Sequence, residues 1–251
     1  MINTTFKVKN AAKFNATLAQ FLKKFSNLDK TILMQLYSNK ITSTMSNMQK
    51  SVIKFYDTDI TEHVEGLNIT NPIYIPLVIA DRLTRVVEFF GEDPINITIT
   101  HDHFDNRDVA LKIDFVNPTL QMELACSKLS FFSTSLQITD VILNRILETD
   151  SKLYHIKMPV NITTRLKSLA MSNNTDKLSF ISNSKGLFFK GENFEFTLSE
   201  ESGFNESTFS FSKNNIKNVD SEDYDVYVLP DRVIFKSDNN KSIVVISQLI
   251  E

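Results

Sequence analysis

The 251 residues suffice for one large domain or for two of about 100–125 residues each, and a composition of 42% hydrophobic and 23% charged residues is that of a globular protein with a real core. Five glycines, with no G-x-G-x-x-G or G-x-x-x-x-G-K pattern, argue against a glycine-rich nucleotide loop. The single cysteine, Cys126, excludes an intrachain disulfide, and a net charge of −3 gives no global attraction to nucleic acid.

The N-terminal stretch MINTTFKVKN lacks an apolar signal core, and no run of 18 apolar residues occurs. A cytoplasmic protein without a membrane partner is expected. The alternation in FKVK (6–9) predicts a strand. In NAAKFNATLAQFLKKFSN (10–27), Phe14, Leu18, Phe21, Leu22 and Phe25 fall at i, i+4, i+7, i+8 and i+11, the stripe of an amphipathic helix. From Lys9 to Asn27 there are four lysines (Lys9, Lys13, Lys23 and Lys24) and no acids.

Three strand-like runs follow at 31–38, 40–46 and 51–58, joined by short polar turns. After NPIYIP (71–76), Pro76 is expected to open a helix that Gly91 closes, with Ile79, Leu83, Val86, Val87 and Phe90 facing inward and Arg82 and Arg85 on a more polar side. Strands are predicted at 95–103, 108–116 and 120–132. Residues 133–151 lack a clean period. The pattern then restarts with a strand at 153–160 and a helix at 161–173, for which Asn161 is the expected N-cap and Ile162, Leu166, Leu169 and Ala170 the inner face. Arg165 and Lys167 lie on this helix, in a stretch without acids. A three-strand meander over 177–199 follows, then a strand at 207–212, a short helix at 213–219 bearing Lys213 and Lys217, and three final strands. From Glu192 to Glu206 there are five glutamates and no bases.

Candidate chemistry is thin. HDHFDN (101–106) reads His-x-His-x-Asp, one residue short of a zinc-hydrolase loop, since Asn106 stands where that loop needs histidine. The bland reading is a polar hairpin end, because Asp and Asn suit tight turns. The competing reading is a metal-dependent hydrolase built on His101, His103 and Asp105. No G-x-S-x-G, H-E-x-x-H or spaced Cys/His pair occurs, and Glu200 with Glu201 sits in a polar loop. No enzyme, no metal and no cofactor are expected.

The order strand, helix, three strands thus recurs about four times, in two halves joined by 133–151, and such a repeat dictates an α+β fold in which each helix buries one stripe on a sheet. The outward stripes carry Lys13, Lys23, Lys24, Arg82 and Arg85 in the first half, and Arg165, Lys167, Lys213 and Lys217 in the second. Cationic helices on an otherwise acidic chain suit non-specific contact with phosphates.

On these patterns the chain resembles DNA polymerase sliding clamps of the phage and proliferating cell nuclear antigen type. The resemblance is sharpest in ENFEFTLSEESGFNESTFSFSKNNIKNVDSEDYDVYVLPDRVIFKSDNNKSIVVISQLIE and extends to LDKTILMQLYSNKITSTMSNMQKSVIKFYD. It implies two similar clamp domains, 1–132 and 152–251, joined by an interdomain connector, 133–151. Helices would line the inner face and antiparallel sheets the outside. It implies a homotrimeric ring around duplex DNA, with a DNA polymerase and a clamp loader as partners, and a viral origin. Lys9, Lys13, Lys23, Lys24, Arg82, Arg85, Arg165, Lys167, Lys213 and Lys217 would face the DNA. Clients would dock in an apolar groove at positions matching Met45, Leu136, Ile138, Pro230 and Ile246. Edge strands in 120–129 and 194–199 would join neighbouring subunits. A monomeric processivity or structural protein of the same fold is the remaining alternative.

Overall fold

The computed structural model describes residues 1–132, 135, 138, 140–201, 205–237 and 241–249. The chain divides into two compact units, residues 1–45 with 55–138 and residues 46–54 with 139–251.

In the first unit, β1 (Ile2–Val8) leads into α1 (Ala11–Lys23), followed by β2 (Ile32–Leu36), β3 (Lys40–Ser46) and β4 (Val52–Asp59), whose first residues belong to the second unit. The two-residue β5 (Val64–Glu65) precedes β6 (Ile73–Leu77), α2 (Asp81–Glu88), β7 (Ile95–Phe104), β8 (Arg107–Val116) and β9 (Gln121–Ala125). The strands lie in the order β3-β2-β6-β8-β7-β1-β5, and β9 pairs with the C-terminal part of β8. All neighbours are antiparallel except β6 and β8, which run parallel at Ile73↔Asp108 and Tyr74↔Val109. The periodic stripe of α1 is buried as expected: Phe14, Leu18, Phe21 and Leu22 join Phe6, Ile97, Ile99 and Phe115 of the sheet in one core. Asn10 caps the helix, its Oδ1 accepting from the Lys13 N–H at 2.9 Å, which satisfies one of the donors that a helix start leaves open.

In the second unit, β10 (Tyr154–Met158), α4 (Val160–Ser172), β11 (Lys177–Asn183), β12 (Gly186–Lys190) and β13 (Glu195–Ser199) form one round of the repeat. The next is β14 (Ser207–Ser212), α5 (Lys213–Ile216), β15 (Tyr224–Val228), β16 (Arg232–Ser237) and β17 (Ser242–Ser247). A four-stranded sheet has the order β13-β12-β11-β14, and β10-β15-β16-β17 continue onto the start of β4. The core is aromatic. The ring of Phe180 lies 5.3 Å from Phe189, 5.6 Å from Phe211 and 6.4 Å from Phe235, centroid to centroid. Offset rings at such spacings add to the area they bury.

Four rounds of strand, helix and three strands are therefore present, and the fold is α+β. Several boundaries differ from expectation. Pro76 does not open a helix: it sits inside β6 opposite Leu33, and the helix begins only at Asp81, leaving Ile79 exposed. Strand 120–132 stops at Ala125, and Leu129–Phe132 forms a single 3-10 turn. α4 is not capped by Asn161. Pro159 is its N-cap, and the Val160 N–H instead donates to Asp223 Oδ1 at 2.6 Å. Within residues 133–151, the stretch without a clean period, lies a short helix, α3 (Asp140–Ile146).

Candidate nucleic-acid interface

α1 and α2 pack side by side on the sheet of the first unit, and their outer faces hold the predicted cations. Lys13 and Lys23 are exposed, Lys23 in the last turn of α1, where a positive charge suits the helix dipole. The Lys24 ammonium is half-buried, 5.0 Å above the Tyr56 ring. Lys9 precedes α1 and lies 3.8 Å from Glu65, an exposed pair that contributes little. Arg82 and Arg85 are exposed on α2, and no ion pair to either guanidinium occurs among the described residues. α2 also carries Asp81 and Glu88, so its charge is mixed, whereas α1 holds no acid.

In the second unit α4 and α5 also pack together. Arg165 is exposed, its guanidinium 4.5 Å over the Phe196 ring, and Lys167 is half-buried. Lys217 is exposed and donates to Asn214 Oδ1 at 2.8 Å. Lys213 differs from expectation: it is half-buried, and its ammonium donates to the Asn173 carbonyl at 2.8 Å, so it closes the C-terminus of α4 instead of standing free on the surface.

The predicted client-docking residues divide. Met45 and Ile246 are interior residues, 3% and 0% exposed, and neither offers a surface. Pro230 is exposed and Ile138 half-buried. Leu136 lies outside the described residues.

The histidine segment is a hairpin. Asp105 and Asn106 both have positive φ, 49° and 60°, and Phe104 pairs with Arg107, so the two form the type I′ turn that matches the strand twist. The His101 ring is 4% exposed, and its Nε2 shares a 3.0 Å hydrogen bond with Thr4 Oγ1. His103 Nδ1 meets Asp108 at 3.2 Å on the exposed side, and Asp105 pairs with Arg107. No cluster of three potential metal ligands occurs among the described residues. The hydrolase reading has no site here. Nor is any helix among the described residues long and apolar enough to cross a membrane.

Two features escaped the sequence reading. One is Phe89, 70% exposed at the end of α2. The other is a cavity of about 480 Å³ between the tip of β7–β8 and the chain after β9, lined by Phe104, Val109, Leu111, Cys126 and Leu129. The β7–β8 register shifts beside His101, leaving Leu111 unpaired, and such a bulge re-aims the side chain. Burial pushes the Cys126 thiol in that wall up to about 12.

No protein-family model matches the sequence, and no curated protein matches it. Solved structures do. The DNA polymerase III beta chain of Streptococcus pneumoniae TIGR4 superposes with a TM-score of 0.63 at 14% identity, over 99% of this chain and 65% of that one. The beta subunit of the Streptococcus pyogenes DNA polymerase gives 0.59 at 14% identity, over 98% and 65%. A DnaN sliding clamp from Pseudomonas aeruginosa bound to griselimycin gives 0.63 at 8% identity, over 100% and 66%. The chain spans about two thirds of the length of each of these proteins. At such identities the likeness is one of architecture: this chain has the fold of the polymerase beta subunits and of the sliding clamp.

Proposed function

We propose that the protein is a sliding clamp that encloses duplex DNA and tethers a replicative DNA polymerase, without catalysing a reaction itself. The observation that carries this reading is the fourfold strand-helix-three-strand repeat, which superposes over 99% of its length on a polymerase beta chain. Outward cations on acid-free α1 and on α4 support it, because loose phosphate contacts without base readout let a protein move along DNA. A closed ring cannot leave the duplex sideways, and it holds its client at high effective concentration.

The finer reading is a homotrimer of the phage and proliferating cell nuclear antigen type, built from two clamp domains per chain, opened by a clamp loader and working in the cytoplasm of an infected cell. Among the described residues β9 pairs only with β8, and β13 only with β12, so each unit offers a strand edge that a neighbouring copy could complete. Client peptides would use apolar surface near Ile138 and Pro230, not Met45 or Ile246.

Solution mass tests the assembly. A stable species of three times the 28.7 kDa chain mass is expected, and a persistent single-chain species would overturn the ring. Charge reversal of Lys13, Arg82 and Arg165 tests the DNA face. Such a variant should assemble normally yet lose most clamp-dependent synthesis, and unchanged synthesis would refute the assignment.

A further inference from the structure

A clamp that only slides on duplex DNA needs cations on its helices and nothing more. α2 carries something else. Arg82, Arg85 and Phe89 fall at i, i+3 and i+7, which places all three on one stripe about 10 Å long. The inner face of the same helix is occupied by Leu83, Val87 and Phe90, all buried. Phe89 therefore has no share in the core, and its ring is 70% exposed one turn beyond Arg85. The neighbouring α1 adds Lys13 and Lys23 and no acid.

We propose that this stripe binds single-stranded nucleic acid, with the two guanidiniums holding phosphates and Phe89 stacking on an unpaired base. The inference rests on the nucleic-acid reading of the helices and deepens it by naming the form of the ligand. Paired guanidiniums call for a polyanion. An exposed ring beside them gains nothing from a phosphate, and a duplex hides the base faces inside its stack. An unpaired strand presents both the phosphates and the π-faces that the stripe can use. A lipid surface fits poorly, because the eight-residue helix also carries Asp81 and Glu88 and keeps its apolar face inside. The stripe would thus sense a primer–template junction, where duplex passes into single strand.

The chain contains no tryptophan, so Phe89→Trp places a lone indole reporter in the stripe without disturbing the core. In the full chain, its fluorescence should be quenched by an oligothymidylate strand and left unchanged by a blunt duplex. Phe89→Ala should weaken oligothymidylate binding roughly tenfold, within the 5- to 150-fold range of a single aromatic–base stack, and leave duplex binding as it was. Arg85→Glu should weaken both. Absence of quenching, quenching by polyglutamate alone, or an unaltered oligothymidylate affinity in Phe89→Ala would each overturn the inference. If duplex binding persists in those cases, only this inference falls. If the unmodified chain binds neither form, the clamp reading fails with it.

Discussion

Lys54 is the most deeply buried charge among the described residues, at 1% exposure, and it gives a sharp test of the second unit. Its ammonium donates to the Asn218 carbonyl at 2.8 Å and lies 3.0 Å from Asp220 Oδ2. Ser242 Oγ donates to the same carboxylate oxygen at 3.4 Å. Lys54 lies near the start of β4, and the 217–220 loop follows α5, so one charge pair ties two distant stretches of chain. Truncating Asp220 to Ala leaves a buried ammonium with its countercharge removed, a lesion that costs about 3–5 kcal/mol. The lower end applies, because Asp220 itself is 21% exposed and the cavity can admit water. Lys54→Met keeps most of the volume and removes the charge, and the Asp220 carboxylate, still bonded by Ser242, can turn to solvent, so a loss of about 1 kcal/mol is expected. The double variant should then resemble Lys54→Met, a coupling of roughly 3 kcal/mol between the two sites. Urea unfolding followed by far-ultraviolet circular dichroism reads all three. If Asp220→Ala costs no more than Lys54→Met, or the two effects simply add, the pair does not hold the unit together and the reasoning is wrong.

Further outcomes are expected elsewhere. Cys126 lines a cavity yet has its thiol pushed up to about 12, so the reactive thiolate forms only as pH rises towards that value. Iodoacetamide at pH 8 should label it at least about a hundredfold more slowly than a free cysteine peptide, and equal rates would contradict its burial. Phe180→Ala removes the ring at the centre of the aromatic core and should destabilise the second unit by about 3–5 kcal/mol in urea, whereas a loss below about 1 kcal/mol would mean that the core collapses around the gap. Gly186 has φ of 142°, and a Cβ there would overlap the Ser199 carbonyl oxygen, so Gly186→Ala should lower the melting temperature and loosen β12 against β13 in hydrogen exchange. Unchanged protection of those amides would show that the strands can shift to make room.

The repeat was legible because period and punctuation agree. The α1 stripe, the alternating strands and the Asp105–Asn106 turn each state locally what the fold requires. Pro76 misled because a proline that lacks an N–H suits a helix start and a strand position alike; only its pairing with Leu33 decides. Ile246 could not be sorted by alternation, since Val245 beside it is buried too, whereas Met45 alternates with half-buried Thr44 and Ser46 and takes the inward side. Lys54 reads as a solvent residue in SVIKFYDT, and its countercharge stands far along the chain. Phe90 falls at i+7 from Leu83 and turns inward as that stripe predicts, which leaves the adjacent Phe89 on the other side of the helix. Lys213 resembles its exposed neighbours until the helix end beneath it is seen.

The one-sided pairing of β9 and of β13 has a corollary for assembly in mixtures. Under the proposed arrangement every copy contributes two unlike ends, and a row of any length keeps one of each unsatisfied until its first and last members meet. A single copy with one end blocked, such as a Thr197→Pro variant, stops the row from closing wherever it joins. Poisoning should therefore be steeper than dilution: with half the copies defective, far fewer than half of the assemblies would be intact.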